Sequence, residues 1–205
     1  MVTSGPGATN LITGVGCAWF DSIPALYISG QVNTYEQRGG MPGTKDSRQI
    51  GFQETDIVSM VKPVTKYAKM IEKPEDVRYE FEKEIYIAKS GRPGPVLLDI
   101  PMDLQRLPCD LTKMKSFVPP TTMPYRDTGA KLQDKVAKAW KILSKARRPV
   151  LISGGGVRLS EGIKEIHELA KLTGFPITTS WSGFDSFGWE HPQLIGAHGG
   201  YGSRA

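Results

Sequence analysis

Cysteine is scarce: Cys17 and Cys109 are the only two among 205 residues. Two thiols cannot build a disulfide framework, so the sequence reads as a protein of the reducing cytoplasm. Histidine is scarce too. His167, His191 and His198 stand at no zinc-ligand spacing, and no metal site is expected in this chain. Long apolar runs are missing. Nothing approaches the roughly 20 apolar residues that cross a bilayer, which argues against a membrane helix. The start, Met1-Val2-Thr3-Ser4-Gly5-Pro6-Gly7, lacks the basic and apolar segments of a secretory signal. Blocks of one charge sign are absent as well. Lys and Arg number 26 against 21 Asp and Glu, a net charge of +5, with a pI near 9.1. The basic residues are interleaved with acids, so this excess does not read as a nucleic-acid surface. Neither an internal repeat nor a G-x-S-x-G nucleophile elbow occurs.

What is present has the balance of a folded soluble domain: 39% hydrophobic and 23% charged residues. The length suits one large domain or parts of two. Residues 25–29, 95–100, 149–153 and 176–179 are apolar runs rather than alternating ones, as in strands covered on both faces of a parallel sheet. Helical stripes lie between them. Val77, Phe81, Ile85 and Ala88 share one face after the start signal Pro74-Glu75-Asp76. Leu132, Val136, Trp140 and Leu143 form a second stripe. Ile163, Ile166 and Ala170 form a third, with Ser160 as candidate N-cap and Gly174 as stop. Alternating strands and helices predict an α/β fold with parallel sheets flanked by helices. Proline-rich residues 111–131 read as a linker between 1–110 and 132–205.

Both ends read as cut. Only three residues precede the first glycine turn, and nothing follows the last one, 196–205. A fragment of a longer protein is therefore expected.

Four segments could carry chemistry. Thr3-Ser4-Gly5-Pro6-Gly7-Ala8-Thr9-Asn10 is a glycine turn opening a helix, where backbone can approach a ligand. Gln31 starts a long polar loop, 32–51, that ends at Phe52-Gln53-Glu54; loops of this length are usually functional or mobile. Glu54 reads equally as a solvated charge. Gly91-Arg92-Pro93-Gly94-Pro95 offers a guanidinium ahead of a buried strand, or a plain turn with a surface arginine. Ser153-Gly154-Gly155-Gly156 is a strand-to-helix turn without the third glycine of the dinucleotide fingerprint, which disfavours NAD. His198 in the terminal glycine turn is a ligand candidate, whereas His167 reads as structural or solvent-facing. Lys62, Lys66, Lys69 and Lys73 read as solvated, because Pro63 interrupts their helical spacing.

These segments, in this order together with Ser29-Gly30-Gln31-Val32 and Asp99-Ile100-Pro101, resemble the thiamine-diphosphate (ThDP) enzymes of the acetolactate synthase type. The resemblance implies two incomplete domains: the C-terminal part of the pyrimidine-binding domain, then the first part of the central domain. It implies decarboxylation of a 2-keto acid and transfer of the acyl carbanion to a second carbonyl compound. The cofactor carries that chemistry. It places Pro6, Gly7 and Asn10 beside ThDP, and Phe52 and Gln53 at the reacting centre. It matches Arg92, Gly154, Gly155, Gly156, Thr179, Ser180, Trp181, His198 and Gly199 to positions that hold FAD. The activating glutamate of the family and its Mg²⁺ ligands would lie outside this chain. The resemblance further implies a cytoplasmic homo-oligomer in branched-chain amino acid biosynthesis, without nucleic-acid or membrane partners. Two departures bear on the acceptor. Met102 stands where the family commonly has lysine, and the loop 33–50 is longer than is typical. They favour, as an alternative, acyl transfer to another acceptor such as a nucleotide-linked keto-sugar. A third reading is a non-catalytic nucleotide-binding remnant that keeps the FAD turns without the catalytic half.

Overall fold

The computed structural model describes residues 1–121, 127–200 and 202–203. The chain divides into two compact units, Met1–Tyr125 and Arg126–Ala205. Pro124 of the expected linker, and Tyr201, Arg204 and Ala205 of the terminal glycine turn, lie outside the described residues.

The first unit runs α1 (Pro6–Phe20), β1 (Leu26–Gln31), α2 (Ile57–Val61), β2 (Tyr67–Met70), α3 (Val77–Lys89), β3 (Val96–Pro101) and α4 (Met102–Gln105). Its strands form a parallel sheet in the order β1-β3-β2. Val2 adds a parallel bridge to Ser29 on the free side of β1. Side chains of a strand alternate between faces. Leu97 therefore faces one way, into a core with Ala8 and Val15 of α1 and Ile57 and Val61 of α2. Tyr67, in register with Val96, faces the other way and donates to Glu80 of α3. The sheet is thus sandwiched, which is why its strands read as apolar runs.

The expected apolar face of α3 is corrected. Ala88 is buried, but Ile85 is 42% exposed while Glu80 and Glu84 are buried. The helix turns an acidic edge toward the sheet because Tyr67 and Lys83 satisfy Glu80 there. The lysine expectation is corrected too. Lys66 is partly buried and donates to the carbonyls of Ile87 and Ser90, and burial lowers its pKa. Lys69 belongs to β2, a strand hidden from sequence reading by its mixed composition, Tyr-Ala-Lys-Met. Part of the proline-rich stretch is fastened to α3. Glu82 accepts from Ser116 Oγ (2.6 Å) and Phe117 N (2.7 Å), and the Phe117 ring sits 5.5 Å from both Tyr79 and Tyr86.

The second unit comprises α5 (Gly129–Leu143), β4 (Leu151–Ser153), α6 (Gly155–Leu159), α7 (Ile163–Thr173), β5 (Ile177–Thr179) and β6 (Leu194–Ala197). Its parallel sheet has the order β4-β5-β6. Ala170 of α7, Ile177 and Phe187 form the core, with Leu151, Ile166 and Leu194 against it. Gly174 ends α7 in the left-handed conformation, φ 67°, as its position suggested. Ser160 does not cap that helix. It ends α6, and Gly162 is the N-cap of α7. The stripe on α5 is helical as read, but none of its residues is buried. His167 is structural: Nε2 contacts Ser186 O at 2.8 Å and the ring stacks on Phe187 at 4.4 Å.

Glu84 generates a stability prediction. Its side chain is fully buried, and neither carboxyl oxygen has a hydrogen-bond partner. Burial first, then repulsion from Glu80, pushes its pKa from 4.5 to about 9. A raised pKa means the folded state holds a proton that the unfolded state releases. The stability is complete below about 4.5 and declines as pH rises toward about 9. Glu84→Met, of similar shape, should flatten urea-unfolding stability across that window and raise it near pH 7 by about 3 kcal/mol. A variant that keeps the wild-type slope would contradict the assignment.

Candidate functional site

Two turns meet beyond the carboxyl ends of the first sheet. Gly5 caps α1 at φ 58°, and Pro6 follows at the first helical position, where its missing N–H costs nothing. Gln53 is also left-handed, φ 59°. A Cβ on Gly5 would stand 2.6 Å from Gln53 Cβ and 2.8 Å from Gln53 O. Only glycine accepts both that φ and that contact. Pro6 and Asn10 are exposed one helical turn apart, Gly7 lies between them partly buried, and Phe52 and Gln53 are exposed. The structure thus brings the expected ThDP turn and the expected reacting-centre turn together.

The Gln53 turn is held from beneath. Glu54 is not a solvated charge. Its side chain is 8% exposed and lies 3.6 Å from the Arg38 guanidinium. It accepts from Arg38 N (2.7 Å) and Ile50 N (2.9 Å), pinning both arms of the long loop. Gln31, at the end of β1, donates from Nε2 to Thr55 O (2.7 Å) and to Asp99 Oδ2 (2.9 Å), while its Oε1 accepts from Val32 N. Asp99, buried in β3, also accepts from Ser29 Oγ at 2.6 Å. Burial pushes the Asp99 carboxyl up, and the bonds from Ser29 and Gln31 pull it back. Sequence reasoning assigned Ser29 and Asp99 no role. Their signal was a polar residue inside each of two apolar strands, which demands a buried partner. A cleft of about 480 Å³ opens beside this network, lined by Gln31, Arg38, Glu54, Thr55, Lys69 and Asp99 among others.

Arg92 is not part of this constellation. It precedes β3 and so lies at the opposite end of the sheet, where its Nε donates to Ser22 Oγ at 2.7 Å. It lines a smaller hollow of about 290 Å³ with Trp19, Phe20, Lys66 and Pro93. Met102 is 38% exposed, and Arg106 Nη2 lies 3.5 Å from its sulfur.

In the second unit, the candidate residues follow the carboxyl ends of three adjacent strands. Gly154 to Gly156 follow β4, Thr179 ends β5 before Ser180 and Trp181, and His198 and Gly199 follow β6. Ser180 N donates to Ser153 O (2.9 Å) and His198 N to Thr179 O (3.0 Å). His198 Nδ1 lies 3.4 Å from Thr178 Oγ1. A Cβ on Gly183 would fall 2.4 Å from Ser153 O, so that glycine closes one loop onto the other. At Gly156 and Gly199 a Cβ would meet nothing within 4 Å, leaving an open backbone ledge. Thr179 is buried, whereas Trp181 is 84% exposed. Among the described residues, no three His, Cys, Asp or Glu side chains converge on a metal position, and no helix is long and apolar enough to cross a membrane.

The contact between the two turns can be checked directly. Gly5→Ala should destabilise the first unit by about 1–3 kcal/mol in thermal unfolding, since it adds both left-handed strain and a collision. It should also speed amide exchange at Glu54, whose N–H donates to Gly51 O, more than at Leu97. Unchanged exchange at Glu54 would show that the two turns do not touch.

Residues 1–60 match the model of the thiamine pyrophosphate enzyme N-terminal TPP binding domain, and residues 136–205 match that of the thiamine pyrophosphate enzyme central domain. The acetolactate synthase large subunit of Buchnera aphidicola from Schizaphis graminum is 36% identical over 210 residues, covering 98% of this chain and 34% of that protein. The acetolactate synthase of Mycobacterium bovis is 38% identical over 206 residues, covering 100% of this chain and 31% of that protein. The large subunit of Corynebacterium glutamicum is 35% identical over 204 residues, covering 99% and 30%. The chain therefore spans about a third of the length of the curated relatives it matches. Two domain models of one family, met in order along an α/β chain with parallel sheets, make this chain a member of the thiamine pyrophosphate enzymes.

Proposed function

We propose that this chain is part of an acetolactate synthase-type enzyme, which decarboxylates a 2-keto acid and joins the acyl unit to a second carbonyl compound. The observation that carries the reading is the packing of the Gly5-Pro6 turn against Gln53, in a chain whose relatives are named acetolactate synthases. The residues fit the cofactor. Pro6 and Asn10 stand exposed on one helix face beside the exposed Phe52 and Gln53, an apolar wall next to amide donors and acceptors. Bound ThDP supplies the carbon nucleophile. Pro6, Gly7 and Asn10 border its rings, Phe52 excludes water, and the Gln53 amide orients the acceptor oxygen through hydrogen bonds. Magnesium accompanies the diphosphate, and this reading gives no described residue that role.

The second unit takes FAD in the same reading, along the ledge of Gly154, Gly155, Gly156, Thr179, Ser180, Trp181, His198 and Gly199. The absence of a Cβ contact at Gly156 and Gly199 supports it, because backbone there is free to lie against a nucleotide. The complete enzyme works as a cytoplasmic homo-oligomer on small 2-keto acids in branched-chain amino acid biosynthesis.

Two experiments on the complete enzyme test the reading. Gln53→Ala should lower carboligation kcat by about 5- to 10-fold, the worth of one neutral hydrogen bond, and leave ThDP affinity nearly unchanged. Equal losses of affinity and rate, read by cofactor titration and steady-state kinetics, would refute the role of Gln53. A panel of acceptors, 2-keto acids against nucleotide-linked keto-sugars, identifies the second substrate in the same assay. For the flavin, enzyme purified without additions should show flavin absorbance or regain it on titration with FAD. A colourless protein that FAD does not titrate overturns that assignment.

A further inference from the structure

Gln31 and Asp99 take no part in the chemistry proposed above, yet both are spent on one turn. Gln31 is 7% exposed and Asp99 1%, so both are buried. Gln31 has three polar contacts. Its amide Nε2 donates both to Asp99 Oδ2 at 2.9 Å and to Thr55 O at 2.7 Å, and its Oε1 accepts from Val32 N at 3.0 Å. Ser29 Oγ donates to the other Asp99 oxygen at 2.6 Å. A buried carboxylate with two donors orients the amide that it receives, because any rotation of Gln31 would strand a polar group. That fixes Thr55 O, two residues beyond Gln53. On the other side the Gln53 turn abuts Gly5. Thr55 Oγ1 donates to Gln53 O at 3.2 Å, closing the link. Gln53 holds φ 59°, a conformation that a non-glycine residue keeps only when its surroundings impose it.

We propose that Gln31 and Asp99 are positioning residues, which hold the Gln53 turn in its left-handed conformation against Gly5 so that the Gln53 amide meets the acceptor. The inference rests on the role given to Gln53 above and adds the device that aims it. Gln31 sits at the carboxyl end of β1 and Asp99 inside the central strand β3, paired in the register Ser29 to Asp99 and Gln31 to Pro101. The sheet therefore supplies the reference frame for the loop.

The test has two arms. On the 205-residue chain, Gln31→Met keeps the volume and removes the amide. Amide exchange at Glu54 and Ile57, whose N–H groups donate to Gly51 O and Thr55 O, should rise on the order of ten-fold, while Val15 and Leu97 keep their protection. On the complete enzyme, Gln31→Met should lower carboligation kcat by about 5- to 10-fold with ThDP affinity retained. Adding it to Gln53→Ala should produce no further loss, because residues acting through one group are not additive. Asp99→Asn, which still accepts from Gln31 while the Ser29 hydroxyl turns to accept, should stay within about 2-fold of wild type. Asp99→Leu should behave like Gln31→Met. Additive losses, or unchanged exchange at Glu54 and Ile57, would overturn the proposal. If Gln53→Ala itself leaves carboligation intact, the reading of Gln53 fails, and the exchange arm alone still decides whether Gln31 holds the turn.

Discussion

A carboxylate sealed inside a parallel sheet organises the first unit. Asp99 is flanked by apolar neighbours on β3, and burial alone would make its charge costly. Ser29 and Gln31 on the adjacent strand meet it within 2.9 Å, so the cost becomes an orientation. The same Gln31 amide reaches Thr55, and the loop that carries Phe52 and Gln53 is anchored to the sheet at that point. Glu54 then ties both arms of the loop through Arg38 N and Ile50 N. A segment with no strand and only a short 3₁₀ turn, Thr34–Glu36, is thereby held by side chains rather than by a ladder.

The two buried glutamates of α3 show the opposite case. Glu80 is matched by Tyr67 and Lys83, whereas Glu84 meets no partner and is held protonated by its surroundings. A helix normally buries its apolar stripe. Here Ile85 lies toward the outside and the acidic edge, Glu80 and Glu84, lies inside. The exposed stripe of α5 in the second unit departs from the same rule. In both helices the periodicity was legible, but the facing surface was not.

The second unit arranges its glycines by crowding in one place and by space in another. Gly183 must be glycine because Ser153 O lies where a Cβ would stand. Gly156 and Gly199 are glycine with nothing near them. The first closes the loops after β4 and β5 upon each other. The others leave the strand ends bare, at the edge where open α/β sheets take ligands.

The sequence by itself determined the α/β class, four of the six strands found among the described residues, the stop at Gly174 and the segments that matter, because apolar runs and glycine punctuation act locally. It also carried the family resemblance, since an ordered set of turns is far more specific than any one turn. It left β2 and β6 hidden, because Tyr-Ala-Lys-Met and Leu-Ile-Gly-Ala have no distinctive period. Only the tertiary structure decided which segments meet. It joined Gly5 to Gln53, sent Arg92 to the far end of the sheet, and turned Glu54 inward. Those outcomes depend on strand order and on contacts between residues far apart in the chain, and a local pattern records neither.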